Sequence, residues 1–183
     1  MQLVWCDEVL FTKKTFPTTA WGMRNQHIKV ESTDVFVDYV AVVASVSSKL
    51  GVIHLMVEYG AINAQDWLKY IKALHKKMDY EPFALYFDQL NVHKDENLQA
   101  YCENHGIMRI FNVSYSPEFN AIETIFSRVK NFFRKERLNK LANGEYFDFE
   151  AGAKKAFKPI TPDFVKSCAN RSIALLHVPI EEQ

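Results

Sequence analysis

The sequence predicts an α/β domain, a mixed sheet flanked by helices, and three observations carry that prediction. Short runs rich in Val, Ile and Phe alternate with segments whose apolar residues recur every three or four positions. The first three runs follow one another with no helical pattern between them, so a hairpin-bearing sheet comes first and helix–strand units follow. With 48% apolar residues in 183, the chain can bury a sizeable core in one domain, whereas two domains would each be small.

Each element has its own local reason. Leu3-Val4-Trp5-Cys6 runs into Asp7, and Val9-Leu10-Phe11 follows. Apolar residues fall on both parities there, as in a central strand covered on both faces. The stretch 16–25, with Pro17 and Gly22, reads as a loop or hairpin arm. Val35 to Ser47 is a long Val-rich strand, 47–51 a turn, and Val52 to Tyr59 the returning strand of a hairpin. Asn63 is placed to cap a helix with Asp66 in its first turn. Trp67, Leu68, Ile71 and Leu74 carry that helix to about Met78. After Pro82 comes a strand from Phe83 to Asp88, then a helix over about 96–105 closed by Gly106, then a strand over 107–113. Ser116-Pro117 carries two helix-start signals, and Ile122, Ile125, Phe126, Val129, Phe132 and Phe133 form the apolar stripe behind them. Asn143-Gly144 closes that helix, and Thr161-Pro162 opens a last one to about Leu176. No repeat or linker divides the chain. A single domain over 1–183 is expected, with its core at about 3–140 and a helical tail at about 145–183.

Composition narrows the classes of function. Lys plus Arg and Asp plus Glu are 22 each, so any attraction to nucleic acid must come from a local patch. Cys6, Cys102 and Cys168 are odd in number, far apart and without zinc spacing, which suits reduced thiols inside a cell. Asp7 and Glu8 exclude a secretory apolar segment at the start. The longest apolar stretch, 35–46, is broken by Asp38 and Ser45 and is too short to span a bilayer, so no membrane partner is expected. Asn112-Val-Ser and Asn170-Arg-Ser match the glycosylation triplet, which chance alone supplies often. Trp5, Trp21 and Trp67 read as packing residues before base-stacking ones.

Two predicted strands end on acids, at Asp7 and Asp88. Taken singly, each is as well explained by a polar residue closing a strand. Glu123 lies beside the apolar stripe of the helix after Ser116, along the edge of its buried face, and thirty-four residues separate it from Asp88. Such a spacing has no weight by itself among 22 acids. Arg128, Lys130, Arg134, Lys135, Arg137 and Lys140 outnumber the acids over 117–140. They form either a phosphate-contacting face or a solvated one.

Context supplies the weight. Asp7-Glu8 after an apolar strand, Asp88 with His93 five residues on, and YSPEFNAIETIFSRVK at 115–130 together resemble the mariner superfamily of DNA transposases and its bacterial insertion-sequence relatives. The resemblance covers about residues 3–140. In that family the third acid closes a Ser-Pro-acid-x-Asn-Pro-x-Glu segment, matched here by Ser116, Pro117, Glu118, Asn120 and Glu123. It departs at Gln89, Ala121 and Phe126, where the family usually has Asn, Pro and Trp.

The resemblance implies a ribonuclease H-like fold and a DDE-type site in which Asp7, Asp88 and Glu123 are catalytic. They would bind two Mg²⁺ ions, with Mn²⁺ as a substitute; four positive charges would then balance three carboxylates and one scissile phosphate. It implies DNA as substrate, nicked and then joined by strand transfer, with a homodimer as the working state. Asn91, His93, Lys94, Ser116, Asn120, Arg128, Lys130 and Arg134 are the expected DNA contacts. His93 has two other readings, ordering the turn after Asp88 or capping the next helix. Family members carry a helix-turn-helix region upstream, whereas this chain begins six residues before Asp7. Three readings follow: the chain is a fragment of a longer protein, its end-reading part lies on a separate DNA-binding chain or in a larger complex, or a transposase remnant now serves elsewhere. The alternative is a domesticated, non-catalytic module that binds protein or DNA. An intracellular location is expected, nuclear in a eukaryote and cytoplasmic in a bacterium.

Overall fold

The computed structural model describes residues 1–12, 15 and 39–176. The loop expected at 16–25, Trp21 and the front of the strand expected from Val35 lie outside the described residues. Five strands form one sheet: β1 (Gln2–Thr12), β2 (Tyr39–Ser47), β3 (Gly51–Glu58), β4 (Phe83–Phe87) and β5 (Met108–Phe111), in the order β3-β2-β1-β4-β5. The first three pair antiparallel, and β4 and β5 join β1 in parallel. Gly51 takes φ +71° at the β2–β3 turn, a conformation that a Cβ would disfavour.

Helices cover both faces: α1 (Ala64–Lys77), α2 (Glu96–Asn104), α3 (Ala121–Ala142), α4 (Phe149–Phe157) and α5 (Pro162–Leu176). α1 opens on the expected cap. The Asn63 side chain accepts from the Gln65 and Asp66 amides, and Asp66 accepts from the Asn63 amide in return. The parity of β1 divides the core in two. Val4 and Cys6 pack with Trp67, Ile71, Leu74 and Leu98 on the α1–α2 side. Trp5, Val9 and Phe11 pack with Ile122, Phe126, Phe133 and Phe157 on the side of α3, α4 and α5. Trp5 and Trp67 are both core residues. Asp7 shares the parity of Trp5 and Val9, so it faces α3.

Two expectations need correction. Asp7 does not end a strand; β1 runs five residues beyond it, with Asp7 paired opposite Ala44. The end is its neighbour's: the β1–β4 pairing stops at Trp5 opposite Tyr86, so Asp7 lies on a stretch of β1 that β4 no longer flanks. Nor does the long helix start at Ser116-Pro117. Those residues open a single 3-10 turn at Pro117–Phe119, and α3 begins at Ala121 with Asn120 as its cap. The Ser116 hydroxyl points back to the Ser114 carbonyl at 3.4 Å and caps nothing, while the Asn120 carboxamide accepts from Ile122 N–H at 3.4 Å.

Candidate active site

Asp7 is buried, only 5% exposed, against the start of α3. Its Oδ1 accepts the Glu8 N–H at 2.8 Å, and its Oδ2 accepts the Asn120 Nδ2 amide at 3.2 Å. Asn120 thus caps α3 and ties that helix to the middle of β1. Burial pushes the Asp7 carboxyl up to about 8; the Glu8 N–H opposes this, and the charges of Asp88, Glu123 and Glu8 add to it. Glu8 is itself raised by burial and by Asp88, with His93 acting the other way.

Asp88 is the first residue past β4. Burial raises its carboxyl, but the His93 ring and the Leu90 N–H outweigh that and hold it below the ordinary range. His93 Nδ1 lies 2.7 Å from Asp88 Oδ1, and Leu90 N–H donates to the same oxygen at 3.2 Å. The His93 ring is fully buried, stacked on Phe87 at 4.7 Å and edge-on to Trp67 at 4.3 Å. It presents no face to a phosphate, so the expectation of a DNA contact is corrected. Of its three readings, ordering the turn after Asp88 is the one the structure supports.

Glu123 is exposed on the first turn of α3, and partial desolvation with the Asp88 charge raises its carboxyl against the pull of Lys130. Asp88, Glu123, Asn120 and Ser116 line one cleft of about 390 Å³ between the ends of β4 and β5 and the start of α3. A second, of about 250 Å³, continues from Glu123 along the helix past Ser127, Lys130 and Arg134. Those four residues recur at helical steps of four, three and four, which puts them on one face.

Other expected contacts fall elsewhere. Arg128 lies on a different face of α3, its guanidinium over the Phe164 ring of α5 at 4.5 Å and near Phe132 at 5.4 Å. It clamps α5 and does not join the Lys130 face. Asn91 and Lys94 are exposed on the 3-10 turn 91–94 and do not line the cleft.

Sequence reading missed Asn112, the most heavily bonded side chain of the site. It is buried, and Oδ1 accepts from Tyr86 OH at 2.8 Å and Val113 N–H at 2.9 Å, while Nδ2 donates to the Ser116 carbonyl at 2.8 Å. Its backbone N–H donates to Phe87 O at 2.7 Å, and its carbonyl accepts from Gln89 Nε2 at 2.8 Å. A side chain so engaged cannot accept a glycan. The only sequence signal was the triplet that chance explained.

Among the described residues no three His, Cys, Asp or Glu side chains lie close enough together, as they stand, to hold a metal ion. The donor chemistry fits a hard cation all the same. Carboxylate oxygens are its preferred ligands, and Asp7, Asp88 and Glu123 repel one another in a way that added positive charge would relieve.

A family model described as "DDE superfamily endonuclease" matches residues 2–143, and so includes all three acids. The chain belongs to the DDE superfamily endonucleases. Solved structures share the fold of this DDE domain. The Mos1 mariner paired-end complex with Mn aligns at TM-score 0.64 and 13% identity, over 98% of this chain and 57% of that one. The Mos1 transposase catalytic domain with Raltegravir and Mn gives 0.60 at 13%, over 98% and 85%. A simian T-cell lymphotropic virus intasome gives 0.60 at 11%, over 100% and 56%. The fold is therefore ribonuclease H-like, as in the Mos1 catalytic domain, and this DDE chain spans a little over half the length of the protein in the paired-end complex. Mos1 structures contain Mn or Mg. Among curated proteins, sequence comparison finds no match. Among the described residues no helix is long and apolar enough to cross a membrane.

Proposed function

We propose that this chain is the catalytic domain of a DDE transposase, cutting DNA phosphodiesters and transferring the freed strand. One observation carries the reading. Asp88 and Glu123 line one cleft, and their charges add to the burial that pushes the carboxyl of Asp7, far from both in sequence, up to about 8. An acid buried at such a cost in stability supports a place for a cation.

Asp7, Asp88 and Glu123 would hold two Mg²⁺ ions, or Mn²⁺ in their place. When bound, these supply the positive charge that in-line displacement at a phosphodiester requires. The remaining residues prepare the site. Asn120 fixes one Asp7 oxygen and the Glu8 N–H the other, so that carboxylate keeps one orientation. His93 keeps Asp88 ionised and aimed. Lys130 and Arg134, on the face that continues from Glu123, would take the phosphates flanking the cleavage point. DNA is the proposed substrate and a homodimer the proposed working state.

A domesticated, non-catalytic module is the second reading. The observation on its side is that the three acids are not drawn into a cation-ready group. Calorimetric Mn²⁺ titration of the wild type beside Asp7→Asn, Asp88→Asn and Glu123→Gln, with nicking of supercoiled DNA in parallel, separates the two. Metal binding and nicking in the wild type, lost in each variant, support the transposase. A wild type that neither binds Mn²⁺ nor nicks leaves the module.

A further inference from the structure

We infer that Tyr115 is a stacking platform for an unpaired nucleobase beside the phosphodiester bound in the acidic cleft, an inference that rests on the DNA-acting reading above. Tyr115 lines the same cleft as Asp88 and Glu123. Its side chain is fully exposed and its backbone is left-handed at φ +58°, a conformation aromatic residues rarely adopt. Among the described residues its ring has no hydrogen-bond or ring partner, so neither feature is offset within the chain.

The exposure does not come from a loose loop. Asn112 pins the segment on both sides of Tyr115, taking the Val113 N–H before it and donating to the Ser116 carbonyl after it, and Ser116 N–H reaches back to the Val113 carbonyl at 3.3 Å. A segment held this way presents the ring with little ordering left to do on binding. Backbone strain held by its surroundings beside reactive groups points to use of that residue.

The chemistry of the rim selects the occupant. Leu90 and Val113 stand exposed on the rim of the same cleft, making an apolar margin with Tyr115. The cations, Lys130 and Arg134, line the other pocket, reached past Glu123. A strand crossing Glu123 would set its phosphates toward the cations and a base toward the ring. Stacking is indifferent to base identity but needs a free base face, which a paired duplex covers. The occupant is therefore an unpaired or splayed base.

The test is fluorescence anisotropy in EDTA with two DNAs of equal length, one blunt and one ending in a short single-stranded overhang. Tyr115→Ala should lose about tenfold in affinity for the overhang DNA and less than twofold for the blunt one. Tyr115→Phe should match the wild type on both. Abasic sites in the overhang should bring the wild type down to the Tyr115→Ala value and leave that variant unchanged. Equal thermal unfolding of wild type and Tyr115→Ala certifies the fold. A Tyr115→Ala protein within twofold of wild type on the overhang, or equally weakened on both DNAs, overturns the inference. If the wild type nicks DNA but shows that result, the platform alone is lost. If the wild type binds neither DNA, the DNA-acting reading is lost with it.

Discussion

Asp7→Asn should stabilise the metal-free protein at neutral pH. Asp7 has an ordinary value of 3.8 and a folded one of about 8. An acid raised on folding keeps its proton in the native state where the unfolded chain has lost it. The native state therefore binds the extra proton throughout this window. Stability is then greatest below about pH 4, falls as the pH rises, and stops falling once the folded value is passed. Between 3.8 and pH 7 there are about 3 pH units at roughly 1.4 kcal/mol each, or about 4 kcal/mol. Asparagine carries no such cost. It keeps the acceptor for the Glu8 N–H but turns an amide toward the Asn120 amide, at a cost of about 1–2 kcal/mol. The net gain is about 2–3 kcal/mol, which for a domain this size raises Tm by roughly 5–10 °C. The assay is thermal unfolding in EDTA at pH 7 and pH 4. At pH 4 the gain should vanish, and the amide mismatch should leave the variant slightly the weaker. A variant no more stable than wild type at pH 7, or equally advantaged at both pH values, refutes the reasoning. Mg²⁺ should narrow the gap from the wild-type side only.

Three further outcomes are expected. Asn112→Ala strands the Tyr86 hydroxyl, the Val113 N–H and the Ser116 carbonyl; it should cost about 2–4 kcal/mol by urea unfolding and make 113–116 the first site of limited proteolysis. Gly152→Ala drives a Cβ into the Phe147 ring, which packs against Phe133 and Phe149. Overpacking of about 1–3 kcal/mol should outweigh the helix-propensity gain, and a variant more stable than wild type in urea would show that the ring has room. Asp88 lies below the ordinary carboxylate range, so its contribution is present above about pH 4 and is lost as the pH falls through its folded value. His93→Ala should return the Asp88 carboxyl toward that range in a carbon-detected NMR titration, and an unmoved midpoint would contradict the assigned pairing.

Much of this architecture was legible because apolar periodicity and caps are local. The Asn63 capping box, Gly106 at φ +67° after α2, and Thr161-Pro162 at the mouth of α5 each depend on a few adjacent residues. Where the expectation failed, the deciding partner was distant. The end of β1 looked like Asp7 because the polar residue was visible and its pairing with β2 as far as Thr12 was not. Ser116 carries as good a capping signal as Asn120, and only the reach from Asn120 to Asp7 distinguishes them. Arg128 and Lys130 look alike in a basic run, yet Phe164 draws one of them away. Asn112 was invisible because its bonds run to Tyr86, Gln89 and Ser116, and no spacing encodes that loop.

The Asn120 link between β1 and α3 has a consequence for the chain as it is made. Asp7 leaves the ribosome well over a hundred residues ahead of Glu123, several seconds at roughly 5–20 residues per second. During that interval β1, β2 and β3 can pair, but Asn120 and Glu123, which face Asp7 and Asp88, have not yet been made. A nascent or truncated chain therefore holds an incomplete site. In the reading proposed here, a protein that cuts DNA would stay harmless until its synthesis has passed α3.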